Sequence, residues 1–417
     1  MEYIPRIIDK QIDDKMASSG CVWIEGCKWC GKSTTGRRHV KSVVEFQDVD
    51  MKASYDMINN TRPSLFLDHE RPLMIDEWQM YPVVWDAIRN DVDKAGRFGQ
   101  FIITGSARPA DKMVMHSGTG RISSILMRPM SLLESGESDG KVSLRQLFGG
   151  NANVAMVNDL TFDVLLNAII RGGWPQAVVN QAGEVAESAS NYVERLTHEA
   201  IVEEGVKIYN PERIRSILRS LARNISSPLN VSTIMSDLTN VSISRATLDK
   251  YLDMLRDLYI LDNVPAWNGK LRSRATLRTK MKAQLVDPSI AVAALGATNT
   301  SLRRDLKTLG LLFESLAMRD LRIYADSLGG KVYYYRDDSD LEVDAIIVLP
   351  DGKWGACEIK LGAGYIQQAE KNLLTMRDKI DTDHVGKPSF LIIITGENYS
   401  MQLDSGVYVV SVGSLGV

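Results

Sequence analysis

The 417-residue sequence has few of the residues that build disulfide or metal frameworks. It contains four cysteines and five histidines, and three of the cysteines lie close together, at Cys21, Cys27 and Cys30. A disulfide framework needs many paired cysteines, so this usage predicts a reducing compartment, the cytoplasm. The histidines are scattered along the chain, which argues against a zinc motif built from both residue types.

Long apolar runs and a strong net charge are also missing. The longest apolar runs, such as 390–394, have the length of a strand and are too short to cross a membrane. Charged residues at 1–6 stand where a signal peptide needs an apolar core, so we expect no secretion. The formal net charge of −3 gives no overall basic surface, and nucleic-acid binding would need a local patch. The length predicts roughly two or three domains.

What the sequence does contain is a complete phosphate-binding loop. Residues 26–34 have the pattern G-x-x-x-x-G-K-[ST], after an apolar strand at 21–24 and before a segment that can begin a helix. In such a loop backbone N–H groups surround a β-phosphate. Lys32 would reach the β- and γ-phosphates and Ser33 would ligate Mg²⁺. The predicted nucleoside triphosphate site comprises Gly26, Cys27, Lys28, Trp29, Cys30, Gly31, Lys32, Ser33 and Thr34.

Cys27 and Cys30 form a C-x-x-C pair inside this loop. No second pair of ligands in the sequence has matching spacing, which argues against a zinc site. We interpret both cysteines as loop residues without metal or redox chemistry. The alternative is that oxidation of the pair distorts the loop and blocks nucleotide binding.

A strand that ends in two acids follows the loop. Residues 72–75 are apolar, and Asp76 and Glu77 come next. A buried parallel strand would deliver Asp76 beside the phosphate loop, where it can hold Mg²⁺, often through water. Glu77 would orient and deprotonate the attacking water. Without the loop upstream, the same pattern would be an ordinary strand end.

Two further polar positions belong to this part of the chain. A strand at 100–103 is followed by Thr104 and Ser106, and Arg121 stands before another strand-like run at 122–127. Strands that alternate with helices and carry these motifs predict an α/β fold, a doubly wound parallel sheet.

The sequences of these motifs resemble those of a large group of prokaryotic AAA+-like ATPases, whose C-terminal domain has no assigned function. The segments that carry the likeness, which covers nearly the whole chain, are 25–32, 75–79, 104–107, 128–132 and 171–175. The resemblance implies binding of ATP. It places Ser106 or Thr104 at the sensor-1 position near the γ-phosphate, and Arg121 as an arginine finger toward the nucleotide of a neighbouring subunit in a homo-oligomer. The alternatives are an ordinary turn and a solvated arginine.

We expect three domains along the chain. A P-loop ATPase domain would occupy 1–135, a helical and winged-helix domain 136–300, and an α+β nuclease-like domain 301–417. The polar stretch 135–140 is typical of a flexible boundary.

Three short helices in the middle domain predict a winged helix-turn-helix. They are expected at 214–222, 231–238 and 245–258, before a strand at 259–261. The third would be the recognition helix, with exposed polar residues Ser244, Arg245, Thr247 and Lys250. A basic stretch follows, which could form a wing on double-stranded DNA: Lys270, Arg272, Arg274, Arg278, Lys280 and Lys282. The alternatives are a solvated loop and a module used only for packing and protein contacts.

The C-terminal part carries a second set of chemically active residues. Asp344 lies on a predicted strand at 341–348, and Glu358 and Lys360 lie two residues apart on the next, at 354–360. Residues two apart on a strand face the same side. The D…E-x-K arrangement resembles that of PD-(D/E)xK nucleases, in which carboxylates hold Mg²⁺ and the lysine activates water or stabilises charge.

Two neighbouring segments would complete this site. Glu314, at the beginning of an expected helix, would join the metal shell, and Gln367 or Gln368 on the next helix could orient the substrate. The alternative is a hairpin with exposed acids and a lysine. Even a nuclease-like fold does not establish that DNA is cut.

Together these patterns predict an ATP-binding and ATP-hydrolysing protein coupled to a DNA-binding winged helix and a nuclease-like domain. A nucleotide-switched binding module is the alternative from another class, with an inert nuclease-like scaffold that recruits a protein partner. Glu77 favours hydrolysis, because a pure switch needs no base. A nuclease licensed by ATP would share all these residues and differ only in cutting DNA.

Overall fold

The structure, a computed structural model, forms two compact units. They are Met1–Pro129 with Leu255–Tyr259, and Met130–Met254 with Ile260–Val417. Each unit has a large β-sheet of its own. The division into three domains stays a prediction. The described residues are 3–106, 118–180, 187–199, 202–203, 206–207, 209–239, 241–267, 269 and 280–417.

The first unit is built on a five-stranded parallel sheet. Its strands are β1 Cys21–Glu25, β2 Ser42–Glu45, β3 Leu73–Asp76, β4 Phe101–Gly105 and β5 Ile122–Leu126. They lie in the order β2-β3-β4-β1-β5, and all neighbours are parallel. The helices are α1 Ile8–Met16, α2 Lys32–Gly36, α3 Lys52–Thr61 and α4 Val83–Ala95. The predicted parallel α/β sheet is therefore confirmed.

An aromatic core supports the strands that carry the motifs. Phe46, Trp78, Trp85 and Phe101 are buried in one cluster with Leu73 and Ile75 of β3. The ring centroids of Trp78 and Trp85 are 4.9 Å apart, and such a pair adds about 1 kcal/mol beyond its buried area. Because Trp78 follows the two acids at the end of β3, its burial fixes where that strand ends.

The second unit begins with helices and a few short strands. These are α5 Leu132–Ser135, β6 Val142–Ser143, α6 Leu144–Gly149, β7 Met156–Val157, α7 Phe162–Arg171, α8 Pro175–Val179, α9 Glu187–Glu199, β8 Val202–Glu203, β9 Val206–Lys207, α10 Pro211–Arg223, α11 Val231–Asp237 and α12 Arg245–Asp257, whose last residues cluster with the first unit. The three helices expected for the winged-helix segment are present as α10, α11 and α12. The small β8–β9 hairpin was not predicted.

The rest of the second unit contains its main sheet. The elements are α13 Pro288–Leu295, α14 Asn299–Arg304, α15 Leu306–Ser327, β10 Lys331–Arg336, β11 Glu342–Val348, β12 Trp354–Lys360, α16 Ile366–Lys379, α17 Thr382–Val385, β13 Leu391–Thr395, β14 Tyr399–Gln402, β15 Tyr408–Ser411 and β16 Leu415–Gly416. The sheet has the order β10-β11-β12-β13-β15-β14-β7. β11 and β12 are antiparallel, as predicted, whereas β12, β13 and β15 are parallel.

Capping side chains explain where several of these helices begin. Asn210 accepts hydrogen bonds from two backbone N–H groups of α10, and Asp287 accepts one from Ser289 in α13. Both helices have proline at their first position, where no N–H is needed. Asp305 caps α15, which therefore begins at Leu306, earlier than expected from the sequence. No helix among the described residues is long and apolar enough to cross a membrane.

The predicted strand at 259–261 is replaced by antiparallel pairing a little further along the chain. Backbone hydrogen bonds join 260–264 to 282–286, from Val286 N to Ile260 O and in both directions between Val264 and Lys282. Of the basic stretch, 270–279 lies outside the described residues. The expectation that Lys282 contacts DNA phosphates is wrong, because this side chain is only 1% exposed.

The segment 171–175 has a structural role in the second unit. Gly173 O accepts a hydrogen bond from Met130 N at 2.6 Å, and a Cβ on Gly173 would lie 2.1 Å from Met130 O. Gly173 N donates to Asp287, and the Trp174 indole donates to Ser289. The segment 171–175 is therefore held against Met130 by close backbone packing, which only glycine at position 173 allows.

Candidate functional site

The phosphate-binding loop connects β1 to α2 at the carboxyl end of the parallel sheet. Gly26 and Gly31 have φ values of 151° and 102°, which favour glycine. A Cβ on Gly26 would lie 2.2 Å from Met127 O. Cys27 and Cys30 are buried, whereas Lys28, Trp29 and Thr34 are exposed. The first glycine thus packs against the chain after β5, and the middle of the loop faces outward.

Lys32 closes the loop in this structure. Its ammonium donates hydrogen bonds to the carbonyl oxygens of Gly26 and Cys27, at 2.9 and 2.8 Å. Arg6, which the sequence did not single out, donates to Cys30 O at 2.9 Å and to Arg128 O at 2.8 Å. The loop is therefore supported from within by one cation and from the N-terminal segment by another.

Asp76 lies beside the loop, as its position at the end of β3 predicted. The Ser33 hydroxyl donates to Asp76 Oδ1 at 2.8 Å, and the Thr104 hydroxyl donates to the same oxygen. Since a hydroxyl and a carboxylate are the oxygen ligands that P-loop proteins offer to Mg²⁺, Ser33 and Asp76 fit this ion. Thr104 orients the carboxylate.

Glu77 has an unusual backbone conformation. Its φ of 55° and ψ of 49° are left-handed, which is rare for residues other than glycine. Its carboxylate accepts hydrogen bonds from the side chains of Gln79 and Ser106, the latter at 3.3 Å. Gln79 was not among the predicted site residues. Ser106 thus contacts the proposed base, and its role as a γ-phosphate sensor stays a prediction.

The two loop cysteines are next to each other and reduced. Cys30 Sγ lies 3.5 Å from Met127 O. A hydrogen bond from Cys27 and, against the effect of burial, the charges of Lys32 and Arg6 lower the pKa of Cys30 to about 6. A thiolate in this place is stabilised by the same cations that prepare the loop for phosphate.

Arg121 lies far from the phosphate loop along the strand. Its carbonyl oxygen accepts a hydrogen bond from Cys21 N, at the amino end of β1, whereas the loop follows the carboxyl end. Its side chain pairs with Asp93 at 2.7 Å. Arg121 therefore takes no part in the phosphate site of its own chain, and a role in a neighbouring subunit stays a prediction.

In the second unit the structure brings the D…E-x-K residues together. Lys360 Nζ lies 2.8 Å from Asp344 Oδ2 and 2.6 Å from Glu358 Oε2. Asp344 Oδ2 also accepts a hydrogen bond from Ile359 N. Asp344 and Glu358 are buried, and the predicted arrangement of these three side chains on one face of an antiparallel pair is confirmed.

A second lysine, which the sequence placed on the wing, completes this cluster. Lys282 Nζ lies 2.8 Å from Glu314 Oε1, 2.7 Å from Glu342 Oε1 and 3.3 Å from Asp344 Oδ1. We call Lys282, Glu314, Glu342, Asp344, Glu358 and Lys360 the buried charge cluster. Asn372 on α16, also missed, donates to Glu358 Oε1, and Gln368 reaches the cluster only through Asn372. Gln367 is exposed.

Burial and neighbouring charges shift the pKa values of the cluster's carboxyl groups in opposite directions. Burial and the nearby charge of Asp344 raise the pKa of Glu358 to about 8 and that of Glu314 to about 7. Burial opposes ionisation of Asp344 too, but the ammonium groups of Lys282 and Lys360 hold its pKa well below the usual range. Asp344 is therefore the permanent anion between two permanent cations.

The predicted recognition helix α12 presents most of its predicted residues to solvent. Ser244, Arg245 and Lys250 are exposed, and Thr247 is partly exposed. The Ser244 hydroxyl bonds that of Thr247 and accepts from its backbone N–H, which makes Ser244 a cap for the helix. Arg245 pairs loosely with Asp249, at 3.6 Å. Nothing in these contacts prevents the face from meeting a partner.

Family models match three consecutive parts of the chain. Residues 18–135 match the model described as an AAA domain. We refer to these residues as the AAA-type domain. Residues 163–301 and 309–415 match two domains of unknown function, DUF8612 and DUF4143. The match supports ATP binding by the AAA-type domain and assigns no activity to the rest of the chain.

Relatives that match most of the chain also assign no activity to it. Uncharacterized proteins of Mycobacterium tuberculosis and Mycobacterium bovis are 24% identical over 337 residues, which is 80% of this chain and 69% of theirs. A Walker-type ATPase of Pyrococcus abyssi has a TM-score of 0.42 at 13% identity, over 69% of this chain and 94% of that one. The replication initiator DnaA, bound to AMPPCP and single-stranded DNA, has 0.27 at 12% identity, over 60% and 86%. At these scores neither solved structure adds to the AAA-type match.

The pKa of Glu358 predicts how stability depends on pH. The native state holds a proton on Glu358 up to about pH 8, whereas the unfolded chain loses it near 4.5. Between these values the native state binds more protons, so the free energy of unfolding falls as pH rises. Changing Glu358→Gln removes this contribution. We expect the stability of the Glu358→Gln protein relative to wild type to rise by roughly 3–4 kcal/mol from pH 5 to pH 8.

Urea denaturation of both proteins across this pH range measures the difference. Glu212→Gln, at an exposed position of α10, is the control and should give a pH-independent difference. An equal slope for wild type and Glu358→Gln would show that Glu358 is ionised throughout.

Proposed function

We propose that the AAA-type domain binds ATP with Mg²⁺ and hydrolyses it. The contact that carries this proposal is the 2.8 Å hydrogen bond from Ser33 to Asp76. It joins the phosphate loop to the end of β3, which Glu77 follows directly, so the groups for phosphate, Mg²⁺ and water lie together. The alternative of a pure nucleotide switch has no use for Glu77.

The chain supplies most of the binding groups from its backbone. The N–H groups of 26–34 would hold the phosphates, and Lys32 would exchange its bonds to the loop carbonyls for bonds to the β- and γ-phosphates. Mg²⁺, held by Ser33 and Asp76, would neutralise charge on the phosphates. Because those two side chains already contact each other, little rearrangement is needed to hold the ion.

Glu77 is the proposed general base. Gln79 and Ser106 hold its carboxylate through hydrogen bonds. In this position it can accept a proton from water that attacks the γ-phosphate. The Ser106 hydroxyl would then exchange its hydrogen bond to Glu77 for one to the γ-phosphate.

Two substitutions test this assignment. Lys32→Ala should abolish ATP binding, because the lysine carries the contact with the β- and γ-phosphates. Glu77→Gln should keep ATP binding and lower turnover by roughly a hundredfold or more. Steady-state phosphate release and binding of a fluorescent ATP analogue separate the two effects. Lys94→Ala, at an exposed position at the end of α4, should behave as wild type. Full turnover in either site variant would refute the assignment.

We also propose that the segment from α10 to residue 286 is a DNA-binding winged helix. Three helices are followed by antiparallel pairing of 260–264 with 282–286. In the sequence, the two paired arms stand on either side of the basic stretch, which is the order expected for a wing. Exposed Arg245 and Lys250 on α12 add positive charge to the recognition helix.

Reversal of the wing charges tests DNA binding. Changing Arg272, Arg274 and Arg278 to Glu should weaken binding to duplex DNA at least tenfold and flatten its salt dependence, since fewer phosphate counterions are released. Fluorescence anisotropy over a salt series gives both quantities. Reversal of Lys331, Lys353 and Lys387, three exposed lysines elsewhere in the unit, changes net charge equally and should have little effect. Equal losses in both triple variants would contradict a wing.

For the nuclease-like region we favour the inert alternative, a scaffold that serves a partner. Both oxygens of Asp344 are engaged by ammonium groups, Oδ1 by Lys282 and Oδ2 by Lys360. Both oxygens of Glu358 are engaged by Asn372 and Lys360. A cutting site would need these oxygens for metal.

A cleavage assay distinguishes the scaffold from a nuclease. Purified protein incubated with plasmid DNA, ATP and Mg²⁺ or Mn²⁺ should cut no faster than the Asp344→Ala protein, because the carboxylates are already occupied. Cleavage that disappears in Asp344→Ala would show that the site is an active nuclease.

A further inference from the structure

The Lys282 ammonium stands at the centre of three carboxylates. An ammonium has three N–H donors and no acceptor, and Glu314, Glu342 and Asp344 provide one acceptor oxygen each. Its donors are thus satisfied by carboxyl oxygens alone. Burial opposes its charge, but the three carboxylates raise the pKa of Lys282 well above its usual range. The group is a permanent internal cation.

A divalent cation does not fit this cluster as it stands. Mg²⁺ needs oxygen ligands at about 2.1 Å in octahedral geometry, whereas the oxygens here are arranged at hydrogen-bond distance around a nitrogen. In the part of the chain that the structure describes, no group of three or more acidic, histidine or cysteine side chains is arranged to hold a metal. The nuclease-like pattern and the observed geometry therefore disagree, and Lys282 is the reason.

The backbone of Lys282 is fixed as firmly as its side chain. Its N–H and carbonyl both bond Val264, at 2.9 and 3.0 Å, and the next residue, Ala283, donates to Ser227 O at 2.7 Å. The side chain also lies 5.7 Å from the Tyr334 ring centroid. Because the backbone is fixed, the ammonium could leave only by a change of side-chain rotamer. That change would break its contacts with Glu314, Glu342 and Asp344 and leave buried Asp344 without one of its cations.

We propose that Lys282 takes the place of a divalent cation in the buried charge cluster. In the native chain the carboxylates anchor the 282–286 arm of the pairing and bind no metal. They are a latent metal site, which accepts Mn²⁺ or Mg²⁺ when the ammonium is removed and space for the ion is left. This property goes beyond the proposed ATPase and does not depend on it.

The test is Mn²⁺ binding to the nucleotide-free, full-length protein. Every sample carries Asp76→Asn, which removes the carboxylate proposed for Mg²⁺ in the AAA-type domain. The electron paramagnetic resonance signal of free Mn²⁺ measures binding, and thermal unfolding with and without Mn²⁺ measures stabilisation. The background protein should bind no Mn²⁺ through the cluster. Adding Lys282→Ala should create one Mn²⁺ site there, with an affinity at least tenfold higher than any remaining Mn²⁺ binding by the background protein.

Two further variants separate charge from space. Lys282→Met also removes the charge, but its side chain fills the volume of the lysine stem, so we expect no Mn²⁺ site. Lys282→Ala combined with Asp344→Asn should lose the site that Lys282→Ala gains. If Lys282→Ala folds only with metal, refolding that requires Mn²⁺ is the same expected result.

Two results would overturn the inference. One is a background protein that binds Mn²⁺ through Asp344 as tightly as the Lys282→Ala protein does, because Lys282 would then not exclude metal. The other is a Lys282→Ala protein that neither binds Mn²⁺ nor is stabilised or refolded by it at millimolar concentration. Since no sample contains nucleotide, both results are independent of whether the AAA-type domain hydrolyses ATP.

Discussion

The second unit depends on the neutralisation of charges that are buried inside it. An unpaired ion in such a place costs several kcal/mol, so each must meet an opposite charge. Lys282 and Lys360 do this for Asp344 on β11, and they also contact the carboxyl groups of Glu314 and Glu358. Arg319, also on α15, does it for Asp287 and Asp320 at 2.8 Å each. Asp287 and Asp320 in turn accept hydrogen bonds from Gly173 N and Leu132 N. One long helix therefore connects both charge networks, and elements distant in sequence are held together through it.

The phosphate site could be predicted because its signals are local. The loop, the strand before it and the helix after it occupy consecutive residues, and the fixed direction of parallel strands then places Asp76 beside Ser33. The D…E-x-K arrangement was accessible for a similar reason, since the period of a strand puts Glu358 and Lys360 on one face. What these predictions have in common is that short-range geometry settles them.

The contacts that were missed depend on packing over long separations. Lys282 is 32 residues from Glu314 and 62 from Asp344, and it follows a run of basic residues that are typical of a solvated wing. A strand with one buried face shows alternating buried and exposed positions, but 282–286 are all buried, so no such pattern distinguishes Lys282. Arg6 and Asn372 were missed because a single polar residue in an ordinary segment has no pattern. Arg121 is different, since the sheet places it at the amino end of β5, away from the phosphate loop of its own chain, and its predicted role in a neighbouring subunit stays a prediction.

Glu77 shows a conflict between the main chain and the side chain at a single residue. The left-handed conformation costs a residue with a Cβ about 1–2 kcal/mol, and glycine or asparagine would relieve it. Selection for a more stable chain would therefore replace this glutamate, and only a use for its carboxylate would keep it. The backbone after β3 therefore costs the protein part of its folding free energy, and the proposed base Glu77 is the residue that bears this cost.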